Sequence, residues 1–355
     1  MTPECTPGGS VERGMGSALR DVRFSVLDRS RVRRGQSHPE ALRETVEFAR
    51  LAEAWGYHRF WVSEHHSVPG VAGSAPTVLA AAVAAATSRI RVGTGGVMLP
   101  NHQPLVVAEQ FGTLESLSPG RIDMGLGRSV GFTDGVRRAL GRDRSDAEDF
   151  DAALAELLAY LRDGVGGVHA WPAEGLRIPA YLLATGSGAA RAARFGLPLV
   201  IAAVAGTDRM VRAIDTYRAE FRETEWGARP YVIVSGTVLI ADSVGEARRL
   251  LLPEAWSSAY SRTRGEFPVL DDPAGIERLA MTPRERTLFE EALRDQIHGT
   301  EDEVAESLEL LLTRTAADEI LVHTSTFDRA ARLDSHRRLA RLVGLPVREP
   351  QPSAA

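Results

Sequence analysis

The chain has 355 residues, of which 44% are hydrophobic, enough for one large domain or two ordinary ones. Its net charge of −5 argues against nucleic-acid binding, which requires clustered Lys and Arg to neutralise phosphates. The single cysteine, Cys5, excludes a disulfide within the chain and a zinc site built from several thiolates.

The two ends of the chain and one Ala-rich segment bear on location. Residues 1–20 lack the apolar stretch of a signal peptide and are predicted to be a disordered leader, and 346–355 a flexible tail. The Ala-rich segment 75–90 is too short to span a bilayer and is predicted to be a buried helix. We therefore expect a cytoplasmic protein without a membrane partner.

Short apolar runs alternate with helical patterns along the rest of the chain. The predicted strands are 22–28, 59–65, 90–96, 122–127, 180–185, 197–203, 231–241 and 319–326. The predicted helices are 37–56, 75–90, 104–117, 146–163, 188–195, 207–222, 243–251, 301–315 and 328–343. The first long helix carries a capping-box spacing at its start, with Ser37 followed by Glu40.

Eight strands that are each followed by a helix predict an α/β fold of the (β/α)8 TIM-barrel type over residues 21–345. A doubly wound parallel sheet is the alternative. Residues 253–298 are polar, contain several Pro and Gly, and interrupt the alternation. They are predicted to be a mobile insertion between strands seven and eight, of a size typical of a lid.

In a barrel, functional residues are expected at the carboxyl ends of strands. The motif "EHH" (64–66) ends the second predicted strand. Because neighbouring strand residues point to opposite faces, at most one of His65 and His66 should face a pocket. No third metal ligand with convincing spacing accompanies them.

Three further strand ends carry unusual residues. Gly95 and Gly96 end the third strand, and Arg128 follows the fourth. The motif "TGSG" (185–188) precedes a helix and is either a helix cap or a phosphate site. The basic run "RSRVRRG" (29–35) after the first strand is predicted to be a solvated loop, with an anion contact as the alternative.

With these motifs assembled, the chain resembles the luciferase-like flavin-dependent monooxygenases, the family of the bacterial luciferase alpha subunit. The motifs that carry the resemblance are "EHH" (64–66), "VGTGGVMLPNHQPLVVAEQ" (92–110), "PGRIDMGLGR" (119–128) and "GTEDEVAESLELLL" (299–312). The matching stretches span most of residues 21–343.

The resemblance implies a homodimeric barrel that binds FMN, supplied in reduced form by a separate flavin reductase. It implies oxidation of a small organic substrate with O2 through a flavin C4a-peroxide, behind the 253–298 segment. An F420-dependent hydride-transfer enzyme and a non-catalytic flavin-binding relative are the alternatives.

The resemblance also implies roles for individual residues. His65 matches the catalytic histidine, and Gly95 and Gly96 match a non-proline cis peptide under the flavin ring. Arg128 matches the arginine that holds the flavin phosphate. The remaining cofactor contacts are expected from the segment Ala184, Thr185, Gly186 and Ser187.

This chain departs from bacterial luciferase at two places. Ala184 and Thr185 stand where luciferase has a Glu-Ser pair, so the carboxylate is missing although a hydroxyl remains. Gly127 stands in the place of a reactive cysteine. Light emission is therefore not implied.

Overall fold

The computed structural model describes residues 17–348, apart from residues 132, 205 and 295. Its strands are β1 (Arg23–Asp28), β2 (Arg59–Val62), β3 (Arg91–Thr94), β4 (Val97–Met98), β5 (Ile122–Gly127), β6 (Ala180–Ala184), β7 (Leu199–Ala202), β8 (Val232–Gly236), β9 (Val238–Ile240), β10 (Ile297–Gly299) and β11 (Glu319–Val322).

The helices mostly lie between these strands. They are α1 (Ser17–Arg20), α2 (His38–Ala54), α3 (Pro76–Ala86), α4 (Pro104–Leu117), α5 (Asp134–Ala139), α6 (Phe150–Arg162), α7 (Gly188–Phe195), α8 (Thr207–Glu220), α9 (Val244–Arg264), α10 (Pro273–Glu277), α11 (Pro283–Arg294), α12 (Glu301–Thr315) and α13 (Arg329–Leu342). The predicted capping box of α2 is present: the Ser37 side chain accepts from the Glu40 N–H, and Glu40 accepts from the Ser37 N–H. Within the described part of the chain, no helix is both long and apolar enough to cross a membrane.

Eight parallel strands close into a barrel in the order β1, β2, β3, β5, β6, β7, β8, β11 and back to β1. The pairing of β3 with β5, through Val92 opposite Ile122, completes the ring between the third and fourth barrel strands. The predicted (β/α)8 barrel is therefore confirmed, and the doubly wound sheet is excluded because an open sheet would leave two unpaired edges. The short strands β4 and β10 pair with β5 and β9.

Alternation along β2 separates two hydrophobic layers. Phe60 and Val62 belong to the main core, whereas Trp61 belongs to a separate small cluster with Leu27, Tyr181, Val200, Ile233 and Leu321. These residues come from six different barrel strands, so the small cluster fills the barrel interior. The period of two in a strand thus places every second side chain inside the barrel and the others against the helices.

A buried ion network lies at the amino ends of the strands. Arg59 is 1% exposed, and its guanidinium donates to Asp123 at 2.7 Å and to Glu319 at 2.7 and 3.0 Å. Arg91 also contacts Asp123 from the rim of this end. Because Arg59, Arg91 and Glu319 begin their strands, the network lies at the end of the barrel away from the rim where function is expected.

Both ends of the chain depart from the prediction within the described residues. Residues 17–20, predicted to be disordered, form α1, because Leu19 is buried in the core. The start of the predicted tail is also packed: Val347 contacts the core, and the Arg348 N–H donates to the Ala54 carbonyl. Residues 1–16 and 349–355 lie outside the described residues.

The insertion begins later than predicted. The helix predicted over 243–251 continues to Arg264, so Pro253, the first residue of the predicted insertion, lies inside α9. A proline inside a helix removes one backbone hydrogen bond. The helix nevertheless continues past Pro253, and this residue is buried. Beyond α9, helices α10 and α11 and strand β10 replace the irregular segment that was expected.

Candidate active site

A cavity of about 500 Å³ opens at the carboxyl ends of the barrel strands. The predicted site residues that line it are His65, Gly95, Gly96, Arg128, Ala184, Thr185 and Ser187. Gly186 belongs to the same loop as Thr185 and Ser187, and its φ of 52° is in the left-handed region that favours glycine. Residues from the carboxyl ends of four strands, β2, β3, β5 and β6, therefore meet at one site.

The peptide bond between Gly95 and Gly96 is cis, as the resemblance implied. A side chain at either position would force its neighbours to shift. A Cβ on Gly95 would lie 2.8 Å from Cδ1 of Leu27, and a Cβ on Gly96 would lie 2.8 Å from the carbonyl oxygen of Gly125. The two glycines thus leave a flat, side-chain-free stretch of backbone facing a cavity whose nearby wall is apolar.

A second part of the cavity wall has the chemistry of an anion site. Helix α7 begins here, and Ser187 at its N-cap makes no side-chain capping bond, so its hydroxyl is not used within the helix. Arg128 and Arg191 also line the cavity. Arg128 is exposed and donates from Nε to the Ala147 carbonyl at 2.8 Å, and Arg191 pairs with Asp151. Two cations, two hydroxyls and a helix start would favour a phosphate at this wall.

His65 is the member of the histidine pair that lines the cavity. Its Nδ1 lies 3.1 Å from Oγ of Ser63, and its backbone N–H donates to the Gly73 carbonyl at 2.8 Å. Burial, together with the nearby charges of Arg29 and Arg31, lowers the pKa of His65 to about 3. The imidazole is therefore neutral near pH 7 and can both donate and accept a hydrogen bond.

His66 points instead into a buried network around Glu64. The Glu64 carboxylate lies 2.7 Å from Nε2 of His66 and 3.0 Å from Nε2 of His102, and it accepts the Met98 N–H at 2.9 Å. Burial alone would raise the pKa of Glu64, but the hydrogen bonds from His102, His66 and Met98 outweigh it and hold the pKa at about 2.

The ligand atoms of Glu64, His66 and His102 lie within 4.8 Å of one another, as a metal site would require. The sequence contained no recognisable third ligand because His102 is 36 residues beyond His66 in the chain. The separations of 2.7 to 3.0 Å are those of direct hydrogen bonds, which already bring the two histidines to the carboxylate.

A second cluster of charged residues caps the site from the side of β1. The Arg29 guanidinium pairs with Glu254 of α9, and Arg31 donates to Ser257 at 2.7 Å. Arg31 is 6% exposed, so the prediction of a solvated loop is wrong for this residue. Phe267, which follows α9, packs against His65 and under Arg31.

A larger cavity of about 810 Å³ adjoins the site on the side of β8, α8 and α12. It shares Ala202 and Ser235 with the smaller cavity, so the two cavities meet at the barrel rim. His323, at the end of β11, lines only the larger one.

The family model described as luciferase-like monooxygenase matches residues 22–319, which is well over half of the chain. The chain belongs to the luciferase-like monooxygenase family.

Individual family members are similar over most of their length. A luciferase-like monooxygenase of Escherichia coli (strain K12) is 38% identical over 318 residues, covering 88% of this chain and 95% of that protein. The crystal structure of apo-MsnO8 has a TM-score of 0.82 at 34% identity, covering 94% of this chain and 100% of that one. The N-acetyl-S-alkylcysteine monooxygenase of Bacillus subtilis (strain 168) is 37% identical over 229 residues, covering 61% of this chain and 69% of that protein.

Sequence reasoning missed several residues of this luciferase-like monooxygenase site. Arg191 could have been found, because it lies one turn into a helix that begins at the rim. Ser63 could also have been found, because it directly precedes "EHH". In an extended segment, its side chain points to the face opposite that of Glu64 and therefore to the same face as His65. Glu254 and Phe267 carried no signal, because they reach the site only through the path of α9 and the loop after it.

Proposed function

We propose that this luciferase-like monooxygenase uses reduced FMN and O2 to oxidise a small organic substrate. The observation that carries the proposal is the cavity itself, which is lined by an anion-binding wall at α7, a flat glycine floor after β3 and a neutral histidine after β2. FMN has a phosphate and a flat ring, and these two parts match the two walls.

The residues fit the cofactor in three places. Arg128, Arg191, Thr185 and Ser187 would hold the phosphate, because they offer charge and uncommitted hydroxyls at a helix start. The Gly95–Gly96 backbone would lie under the ring. Glycine is favoured at both positions, since a Cβ at either residue would collide with its neighbours. Bound reduced FMN supplies the activation of O2 that no protein side chain can supply.

The protein positions the reacting groups, supplies a proton and excludes water from the site. His65 is neutral and lines the cavity, so we propose that its imidazole donates or relays a proton at the reacting centre. Phe267 of the insertion and the buried contact between Arg31 and Ser257 of α9 cover the site and would keep bulk water away.

For the substrate, a thioether is the first class to test, because one relative is named an N-acetyl-S-alkylcysteine monooxygenase. A separate flavin reductase would deliver reduced FMN, and with such a partner we propose a cytoplasmic location.

We also propose that the protein is a homodimer. One face of the Ala-rich helix α3 is exposed, contrary to the prediction of a buried helix. Val78 on this helix is 70% exposed, and Leu117 on the neighbouring α4 is 76% exposed. A second copy that covered this face would remove the apolar surface from water. Val78→Glu with Leu117→Glu should yield monomers in analytical ultracentrifugation, whereas Leu310→Glu on α12 should not.

The main test is rapid mixing. Reduced FMN is bound to the protein without oxygen, mixed with oxygenated buffer, and followed by flavin absorbance. We expect reoxidation to be slower than for free FMN, and product to form when a thioether is added. His65→Ala should accelerate reoxidation while FMN still binds, and His169→Ala, on a distant loop, should change nothing.

Reoxidation at the rate of free flavin would contradict the proposal. Tight binding of F420, with turnover that does not need oxygen, would instead identify the hydride-transfer alternative. Binding of FMN without any change in its reactivity would identify a flavin-binding protein without catalysis.

A further inference from the structure

A net positive charge is buried at the rim of the site, at the end of β1. Arg29 and Arg31 both face Glu254, whose carboxylate is the only anion that pairs with either of them among the residues the structure describes. The side chain of Arg31 is 2% exposed and that of Glu254 is 7% exposed. Two cations and one anion leave a charge of +1 that solvent screens only weakly.

The two guanidinium groups also have unused donors. Nε of Arg29 and both Nε and Nη1 of Arg31 have no hydrogen-bond partner in the described part of the chain. Buried polar groups are normally paired, and an unpaired buried cation is costly. Water bound between Arg31 and Glu254, 3.9 Å apart, would satisfy donors but would leave the charge uncompensated.

This charge lies beside the proposed reaction centre. Both arginines are close enough to His65 to lower its pKa, and Phe267 contacts His65 and Arg31 with ring centroid distances of 5.9 and 5.6 Å. Arg29 is the more accessible of the two, with 16% of its side chain exposed.

The flavin phosphate does not account for this charge. Its proposed wall is formed by Arg128 and α7, which follow β5 and β6. Arg29 and Arg31 follow β1, which is three strands from β5 by the shorter path around the ring and four strands from β6 in either direction. The two cationic groups therefore lie on opposite sides of the barrel mouth, and each calls for its own anion.

We infer that Arg29, supported by Arg31, binds a carboxylate of the substrate, so that the enzyme acts on organic monoanions. The inference rests on the proposed function for the reaction, but the binding step can be measured without turnover. Arginine suits this role because its planar group can donate two parallel hydrogen bonds to a carboxylate. Glu254 holds Arg29 in place and limits the charge to a value that one carboxylate neutralises.

The test uses calorimetric titration of the FMN-loaded protein with N-acetyl-S-benzylcysteine, phenylacetate and benzoate, each compared with its methyl ester. We expect at least one acid to bind and its ester to bind at least about tenfold more weakly, the loss that follows from one charge-assisted hydrogen bond. Arg29→Gln should weaken binding of the acid by about ten- to a hundredfold and leave the ester unchanged.

Glu254→Gln should change the affinity for the acid in the opposite direction to Arg29→Gln. It therefore separates an effect of charge from an effect on folding. Removing the carboxylate raises the local charge, so the acid should bind more tightly, by roughly threefold or more. A variant that only disturbed α9 would bind more weakly. Arg34→Gln is the matched control, because Arg34 joins the same loop to Asp271 of the insertion through an exposed pair.

The inference is overturned if no acid binds better than its ester, or if Glu254→Gln weakens binding as Arg29→Gln does. The reoxidation rate of reduced FMN is measured on the unmodified protein without any acid. If that rate equals the rate of free FMN while the acids still bind selectively, the monooxygenase proposal fails and the carboxylate site stands.

Discussion

The imidazole of His65 meets the ring of Phe267 edge-on, with centroids 5.9 Å apart and planes at 83°. The two residues are about 200 positions apart in the chain, at the end of β2 and in the insertion after α9. The insertion therefore forms part of the immediate surroundings of the histidine, and its contribution to chemistry can be tested at a single side chain.

Phe267→Ala should accelerate the reoxidation of bound reduced FMN by about tenfold, equivalent to ~1.4 kcal/mol in the barrier, because water gains access to the site. Hydrogen peroxide release should rise in parallel. Phe267→Leu retains apolar bulk and should stay close to the unmodified protein. Equal rates for the alanine variant and the unmodified protein in stopped-flow would show that Phe267 does not exclude water.

Gly95→Ala tests the flat floor of the cavity. The added Cβ would lie 2.8 Å from Cδ1 of Leu27 and 3.1 Å from Cε3 of Trp61, so the barrel interior must shift. Overpacking of this kind costs about 1–3 kcal/mol, and we expect a lower melting temperature and weaker FMN binding by fluorescence titration.

Gly127→Ala is the matched control for Gly95→Ala. Gly127 lines the same cavity, but a Cβ there would meet nothing closer than the Val97 carbonyl at 3.8 Å. If the two alanine variants melt at the same temperature, packing around Gly95 is looser than described.

Arg59→Met should destabilise the protein without affecting the site. The substitution removes the cation from between Asp123 and Glu319, both 0% exposed, and leaves buried carboxylates with fewer donors. Breaking a buried pair by removing one partner costs about 3–5 kcal/mol, to be measured by urea unfolding. Arg162→Met, in an exposed pair with Asp163, should cost less than about 1 kcal/mol. Similar losses for both variants would contradict this view of the network.

Stability should fall as the pH falls below 6.5. Burial lowers the pKa of His336 to about 3, because its ring is 1% exposed and packs edge-on against Phe48. The unfolded chain binds a proton on this residue at higher pH than the folded chain does, so protonation favours unfolding between pH 6.5 and about 3. At about pH 5 the loss from this residue should reach about 2 kcal/mol.

Urea midpoints near pH 7.5 and pH 5 would measure this loss, with His336→Gln as the comparison. The variant cannot titrate, so its midpoint should change less between the two conditions. Part of the dependence of stability on pH should remain in the variant, because burial also lowers the pKa of His65 to about 3 and that of His323 to about 4. If the urea midpoint of the variant changes between the two pH values as much as that of the unmodified protein, His336 does not contribute.

The sequence predicted the elements whose signals are local. The alternation of strands and helices predicted the barrel, and the rim position of the "EHH" and double-glycine motifs predicted where the cavity lies. The choice between His65 and His66 needed the structure, because a two-residue period fixes opposite faces without saying which face is inside.

Other features depend on residues that are distant in the chain. Arg59 and Glu319 are 260 positions apart, and their pairing follows only from closure of the barrel. Arg31 seemed a solvated loop residue because its neighbours are polar, but α9 runs over it. The continuation of α9 beyond residue 251 was not predicted, since Pro253 is a residue type that usually ends a helix.

The backbone of the insertion is joined to the rim loops in the manner of an added strand. The Gly70 N–H donates to Phe267 at 2.9 Å, the Leu270 N–H to Val32 at 2.8 Å, and the Arg34 N–H to Leu270 at 2.8 Å. These amides exchange with deuterium when the bonds open, and we expect the three to report one common opening free energy because they belong to one set of paired segments. Opening of this part of the rim is then a local unfolding of three chain segments, with a frequency that hydrogen exchange can measure.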